Sequence, residues 1–391
     1  MPTVATMFSG GGGFDIGAIN AGLALLWAVE YDPKIAAVYA RNLKHAPIVA
    51  RVQDVDYRQL ERPDHLHTSP VCKNASAAKA DGRECRSDVL AADAVCMAIR
   101  TLLPATFSLE NVWGYRTFKA FGRIVDTLKH YGYSVGYWHL NSADYGVPQT
   151  RKRLILLARR DGRKVQRPMP THRQHGDLFC LGWVGWYEAI EDLIPTLPPS
   201  KFAQWQLDRL FADADKTGEA KTVLIGGGNR STSFLEFALE HRKTVPCVFD
   251  ADEPSATINA TMSRDMRAFI VEGQTGSAGE YINVRAADEP IYTISASMEK
   301  RPARAYLVGG DNTSRDLSLR DGDEPAFTIG AHIKRTSHRA WLEAGRVVRL
   351  NLRALCRLQS FPDWYEPTST VEIGNAVPPL LAQRIMEHLY G

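Results

Sequence analysis

The sequence predicts an α/β protein, a doubly wound and mostly parallel sheet carrying an inserted, mostly β region. Three observations predict it. Over about the first 160 residues, short apolar runs alternate with helical patterns, the pattern of a parallel sheet covered on both faces. A glycine cluster, Gly10 to Gly13, separates the first apolar run from the first helical pattern. From about Arg167 the chain becomes Pro-rich and turn-rich, and helical patterns return only after residue 345. A chain of 391 residues also exceeds the roughly 250–300 at which single cores stop growing. Two domains are therefore expected, one from residues 1–166 plus 346–391 and one from 167–345.

Taken in order, TVATMF (3–8) reads as a strand and FDIGAINAGL (14–23) as a helix. LLWAVEY (25–31) is a second strand, and PKIAAVYARNL (33–43) a helix with Ile35, Val38, Tyr39 and Leu43 on one face. IVARV (48–52) reads as a third strand and a fourth ends near Thr68. DVLAADAVCMAIRTLL (88–103) is helical, which makes Cys96 a core residue, and ATFSL (105–109) is a strand leading to Glu110. The middle region holds an internal repeat: DEPSATINA at 252, DEPIYTISA at 288 and DEPAFTIGA at 323, spaced by 36 and 35 residues. Each is followed at a distance by RAFIVEG, RAYLVGG or RAWLEAG. A stack of similar hairpin units accounts for this pattern; alternatively, the Thr-Ile turns line a surface that meets a partner. LRALCRLQSF and LLAQRIMEHLY then read as helices, the second led by two prolines.

Hydrophobic residues at 45% and charged residues at 23% fit a globular protein rather than a disordered or fibrous one. No run approaches the roughly 18 apolar residues of a membrane span and no basic-then-apolar leader opens the chain, so a cytoplasmic location is expected. The six cysteines (72, 85, 96, 180, 247, 356) form no CxxC pair, which argues against a disulfide framework and a structural zinc. The net charge of +3 is too mild to identify a nucleic-acid partner, but eight basic residues crowd between Arg151 and Arg167.

The loop Phe8, Ser9, Gly10, Gly12, Gly13 lies between a strand and a helix N-terminus, where backbone amides approach a ligand closely. It fits no frame of G-x-G-x-x-G, since Asp15 and Ile16 stand where the third glycine belongs. Such a loop suits a nucleoside-bearing cofactor without a pyrophosphate. Glu30, read as ending the second strand, can accept hydrogen bonds from ribose hydroxyls; Asp54, read as ending the third, can accept from an adenine amino group. Each alone is most simply a turn residue or a cap. With Cys72 and Glu110 they make four groups at expected C-terminal strand ends, the edge where open α/β sheets bind ligands. The position of Cys72, two residues after Pro70 in a polar, Ala- and Lys-rich loop, speaks against burial in the core.

These segments resemble the DNA cytosine-5 methyltransferases, Rossmann-like enzymes that use S-adenosylmethionine. FSGGGGFDIG resembles the family's cofactor loop, SPVCKNAS its Pro-x-Cys loop, ENV (110–112) its glutamate motif, and NSADYGVPQTRKRLILLARR its Gln-x-Arg-x-Arg segment. LCRLQSFPDWY and IGNAVPP resemble its closing motifs. The resemblance implies Cys72 as nucleophile, Glu110 as the acid at the ring, and Arg151 and Arg153 as holders of the base. It implies Val55, Pro70, Asn375, Ala376 and Val377 beside the cofactor together with the glycine loop, Glu30 and Asp54. It further implies double-stranded DNA as substrate, no metal, a monomer, and a restriction or defence system as companion. DNA contacts are expected from Lys73, Ser76 and Gln149, and from the repeat residues Thr257, Thr293 and Thr328. Departures are Val71 and Lys73 around the cysteine, Ala354 where a glutamate is common, and Thr6-Met7 before Phe8. A catalytically silent DNA-binding homologue and an RNA cytosine methyltransferase are the alternatives.

Overall fold

The computed structural model describes residues 1–70, 84–199, 306–309, 318–321, 324–326, 339–341 and 347–391. The chain divides into two compact units. The first comprises Met1–Leu193, Asp323–Ile333 and Asn351–Gly391, the second Ile194–Gly322 and Lys334–Leu350.

The first unit is built on seven strands: β1 (Thr3–Met7), β2 (Ala24–Glu30), β3 (Ile48–Val49), β4 (His65–Thr68), β5 (Thr106–Asn111), β6 (Ser134–Asn141) and β7 (Lys152–Arg159). Their order is β3-β2-β1-β4-β5-β7-β6. Strands β1 to β5 are parallel, and β7 runs antiparallel between β5 and β6. The direction of winding reverses between β1 and β4, so the C-terminal ends of these strands flank the crevice where doubly wound sheets hold ligands.

Alternate residues feed two apolar clusters. Met7, Leu66, Phe107, Leu154 and Leu156 pack with α3 (Arg86–Leu102) and α4 (Lys119–His130). Val4, Ile155 and Leu157 pack with α1 (Gly13–Asn20) and the C-terminal helix Pro379–Tyr390. Burial on both faces explains why these strands read as continuous apolar runs. Cys96 lies in the first cluster, as its place in the helical pattern predicts. Helix α2 (Pro33–Leu43) starts where Asp32 caps it, its side chain accepting the Lys34 N–H at 2.9 Å, with proline at the first helical position.

Three local readings need correction. IVARV is a strand only at Ile48–Val49, paired with Val29 and Glu30; Val52–Asp54 is a single 3₁₀ turn. The cause is that β2 ends at Glu30, leaving no further backbone groups to pair, while Val52 turns into the core. Asp54 therefore does not end a strand. Glu110 lies inside β5 rather than after it. A short helix, Thr370–Asn375, is capped by Ser369, which accepts the Val371 N–H, and by Glu372, which accepts the Ser369 N–H at 2.7 Å.

Beyond β7, His172–Arg173 (β8) pairs with Leu181–Gly182 (β9), and α5 spans Trp186–Ile190. The later helices are α6 (Leu352–Leu358), α7 (Thr370–Asn375) and α8 (Pro379–Tyr390). The second unit contains an antiparallel sheet of β10 (Tyr306–Gly309), β11 (Ser318–Asp321), β12 (Arg339–Trp341) and β13 (Val347–Arg349), ordered β11-β10-β12-β13. Tyr306 and Trp341, which hold the same place in RAYLVGG and RAWLEAG, are directly paired. Among the described residues no helix is long and apolar enough to cross a membrane.

Candidate active site

The glycine loop leaves β1 through an unusual backbone. Phe8 takes a φ of 60°, Gly10 of 55° and Gly12 of 88°, a region that side-chain-bearing residues rarely enter. The turn is held from β2: Ser9 N–H donates to the Val29 carbonyl at 3.0 Å and Gly10 N–H to Glu30 Oε2 at 2.9 Å. The other carboxylate oxygen, Oε1, accepts the Asp32 N–H at 2.9 Å. Glu30 is buried; desolvation raises its pKa, and the Asp32 and Gly10 amides oppose that rise.

The closing segments pack onto this loop. Tyr365 Oη donates to the Gly11 carbonyl at 3.0 Å. A Cβ on Gly13 would lie 2.5 Å from the Val377 carbonyl oxygen and 2.9 Å from the Ala376 side chain, so only glycine fits. The buried Gln359 donates from Nε2 to the Ile373 and Ala376 carbonyls at 3.0 and 3.1 Å, joining the two closing segments. Asn375 is exposed at the end of α7. The structure thus brings Phe8 to Gly13, Glu30, Ala376 and Val377 together. Asp54 is exposed, and Val55 packs half-buried against the first apolar cluster.

Thr6, one of the departures, is buried and donates to Asp15 Oδ1 at 2.9 Å. Burial pushes the Asp15 carboxyl up to about 7.

Across the crevice, Glu110 is buried near the end of β5 and its Oε1 lies 3.1 Å from Arg153 Nε. The antiparallel register, Glu110 with Ile155 and Asn111 with Leu154, delivers Arg153 to this edge. Arg153 Nη1 also donates to the Lys152 carbonyl at 2.8 Å. Asn111 Nδ2 donates to the Pro70 carbonyl at 2.9 Å, which anchors the start of the cysteine-bearing loop to β5. Arg151 is buried, and its backbone N–H donates to Asn141 Oδ1 at 3.0 Å. Gln149 is fully buried, and neither side-chain polar atom has a hydrogen-bond partner among the described residues. Its neighbours clasp the third repeat: Thr150 N–H donates to the Ala326 carbonyl at 2.8 Å and Ala326 N–H to the Pro148 carbonyl at 2.9 Å. Cys72, Lys73, Ser76, Thr257, Thr293 and Thr328 lie outside the described residues.

The basic run does not form one patch. Strand β7 carries Arg159 to the opposite edge of the sheet, where it pairs with Thr106, while Lys152 and Arg153 stay beside Glu110. Arg159 and Arg163 both bind Asp161, at 2.6 and 2.7 Å. Sequence reasoning missed Asn111 and Asn141, since their partners lie 41 and 10 residues away. Among the described residues no three His, Cys, Asp or Glu groups are arranged to hold a metal ion.

Comparison with known proteins agrees across the whole chain. The model of the C-5 cytosine-specific DNA methylases matches residues 3–391. The type II methyltransferase M.AquIA of Picosynechococcus is 30% identical over 222 residues, covering 50% of this chain and 88% of that protein. The type II methyltransferase M1.HphI of Haemophilus parahaemolyticus is 25% identical over 98% of this chain and 86% of its own length. A DNA modification methyltransferase encoded within an E. coli prophage has the same fold, with a TM-score of 0.57 at 20% identity over 100% of this chain and 99% of that one. Its seven-stranded sheet and the match along its length establish that the chain belongs to the C-5 cytosine-specific DNA methylases and is a DNA (cytosine-5)-methyltransferase.

Proposed function

We propose that this protein methylates carbon 5 of cytosine in double-stranded DNA through a covalent adduct with Cys72, on a base flipped out of the helix, and marks DNA for a restriction or defence system. The observation that carries the reading is the pairing of buried Glu110 with half-buried Arg153, 3.1 Å apart at the strand edge that also anchors Pro70. The type II names of the relatives support the restriction setting.

The residues of the crevice fit S-adenosylmethionine. Ser9 Oγ is buried without a hydrogen-bond partner among the described residues, and the space where Gly10 would carry a Cβ is open for at least 4 Å. A loop with an unmet hydroxyl and an open face beside a buried carboxylate suits a nucleoside. Phe8, Ser9, Gly10, Gly12, Gly13, Ala376 and Val377 would form its walls, with Glu30 accepting from the ribose; Pro70, Val55, Asp54 and Asn375 complete the set that the sequence implies. When bound, this cofactor supplies an electrophilic methyl group.

Carbon 5 of cytosine is too weak a nucleophile to take that methyl unaided. Cys72 thiolate adds to carbon 6 and moves electron density onto carbon 5. Negative charge builds toward ring N3, and Glu110 hydrogen-bonded there relieves it. Arg153 occupies Oε1 and fixes the carboxyl, leaving Oε2 for the base; Arg151, whose backbone N–H is bound by Asn141, is assigned with Arg153 to holding the base. After methyl transfer, loss of the carbon-5 proton expels Cys72. Extruding the base costs roughly a few kcal/mol, offset by backbone contacts. Lys73, Ser76 and Gln149 are assigned to the DNA, and the repeat region, with Thr257, Thr293 and Thr328, to base edges.

The test is duplex DNA carrying 5-fluorocytosine incubated with labelled S-adenosylmethionine. Fluorine blocks the final elimination, so a denaturation-resistant adduct is expected with the native protein and none with Cys72→Ser. Absence of adduct on site-diverse DNA that still binds the protein overturns the reading; an adduct on RNA alone replaces the substrate.

A further inference from the structure

A chain of five hydrogen bonds runs along β4 and β5 and is not part of the site described above. Tyr390 Oη and Thr106 Oγ1 are 2.6 Å apart, and Thr106 Oγ1 and His65 Nδ1 2.7 Å. His65 Nε2 lies 2.8 Å from Ser108 Oγ, which lies 2.7 Å from His67 Nδ1. His67 Nε2 ends the chain 2.9 Å from Ser69 Oγ. The register explains it: His65 pairs with Thr106 and His67 with Ser108, and residues two apart on a strand share one face. Thr106, His65, Ser108 and His67 are buried, whereas Ser69 and Tyr390 at the two ends are half-buried. Phe14 roofs the chain, its ring 3.5 Å from that of His67 and 5.8 Å from that of His65.

Burial pushes the His65 imidazole down to about 3 and that of His67 well below its ordinary value, so both rings are neutral. A neutral imidazole has one N–H and one acceptor nitrogen, and each hydroxyl has one proton to give. Ser108 bridges the two rings, so opposite tautomers would present it either with two acceptors, which loses one link, or with two donors, which turns its own proton out of the chain and breaks the relay there. All five bonds point one way in two arrangements: both rings carry the proton on Nε2, with the chain pointing to Ser69, or both carry it on Nδ1, with the chain pointing to Tyr390. Passing one proton along the chain converts one arrangement into the other.

We propose that this chain conducts protons between the catalytic edge at Ser69 and solvent at Tyr390. In the outward passage a proton arrives at Ser69 Oγ, whose own proton moves to His67 Nε2. The Nδ1 proton moves to Ser108, that of Ser108 to His65 Nε2, and the His65 Nδ1 proton to Thr106. Thr106 then protonates Tyr390, whose proton passes to water, leaving no charge in the sheet. The inward passage restores the first arrangement. Resting on the function proposed above, formation of the nucleophilic thiolate releases a proton outward and its expulsion reclaims one, so each turnover resets the chain. His65, Ser108, His67 and Thr106 touch no reacting atom; they act through Ser69.

The experiment has two arms. The first records ¹⁵N chemical shifts of the His65 and His67 ring nitrogens in the full-length protein. Matching tautomers are expected; opposite tautomers, or a charged ring near neutral pH, overturn the proposal whatever the protein's activity. The second measures the rate of 5-fluorocytosine adduct formation in water and in D2O for the native protein, Ser108→Ala and Tyr390→Phe. Tyr390→Phe keeps the ring and cuts only the solvent end, so it covers the case in which Ser108→Ala fails to fold. Both variants are expected to slow adduct formation at least about tenfold with unchanged DNA affinity, and to lose the curved dependence on deuterium content that several moving protons produce. Native rates and native isotope dependence in a folded variant overturn it. A native protein that forms no adduct at all instead defeats the methyl-transfer reading, which the first arm does not depend on.

Discussion

The two halves of the crevice are closed by different physics. At β1 and β2 the loop Phe8–Gly13 is sealed by close contact: Gly11 under Tyr365, Gly13 against Val377, and Gly17 of α1 so near α8 that a Cβ would collide with the Pro379 carbonyl. At β4, β5 and β7 the contacts are polar and long-range: Arg153 on Glu110, Asn111 on the Pro70 carbonyl, and the histidines on Ser108. Packing fixes where the first half sits, but it cannot move charge. The second half holds ionisable groups in fixed positions, with Glu110 and both histidines buried, which is what proton and electron-pair chemistry needs.

If this division holds, substitutions in the polar half should cost rate and those in the packed half should cost stability. The largest effect is expected for Glu110→Gln, which keeps shape and removes the acid. Single-turnover methyl transfer should fall by roughly 10²–10⁴, with thermal stability close to native. A native rate in that variant would remove Glu110 from the mechanism. Arg153→Ala should cost less, about 10²-fold, and the double variant should be no slower than Glu110→Gln alone, because the arginine acts through the carboxylate. The packed half should answer the other way. Gly17→Val forces a side chain into the α1–α8 contact and should destabilise by about 3 kcal/mol in denaturant melts, with the protein that remains folded turning over at the native rate. A folded, stable but slow Gly17→Val protein would break the comparison.

What the sequence disclosed follows the same line. The glycine loop was legible because its demands fall on adjacent residues: a strand, four glycines and a helix start lie within twenty positions. The parallel strands were legible because burial on both faces makes them apolar throughout. Asp54 was misread because strand length depends on the neighbour: β3 stops where β2 runs out of partners, and no local pattern encodes that. The joining of Glu110 to Arg153 spans 43 positions and follows from β7 returning antiparallel beside β5, so the resemblance named both residues without joining them. His65 and His67 lie in the strand expected to end near Thr68 but went unread, because their place in the hydrogen-bond chain depends on Ser108 and Thr106, some forty residues away. The short helix Thr370–Asn375 went unread although Ser369 and Glu372 form its capping box, because it holds fewer than two turns of apolar period.

Asp15 sharpens the comparison because, like Glu30, it is an ionisable group buried inside the packed half. It is wholly buried, takes a hydrogen bond from Thr6, and titrates near 7 rather than at its ordinary 3.8 because burial penalises the charged form. Between those two values the folded protein holds a proton that the unfolded chain has released. Stability is therefore fully present below about pH 4, falls as pH rises through the window, and levels off above 7. The slope approaches roughly 1 kcal/mol per pH unit between 5 and 7. Asp15→Asn keeps the shape and cannot ionise, so its melting temperature relative to native should climb across that range and hold steady beyond it. A difference that stays flat from pH 5 to 8 would mean the carboxyl is ionised in the folded state, and the packed half would then carry a charge that its geometry does not explain.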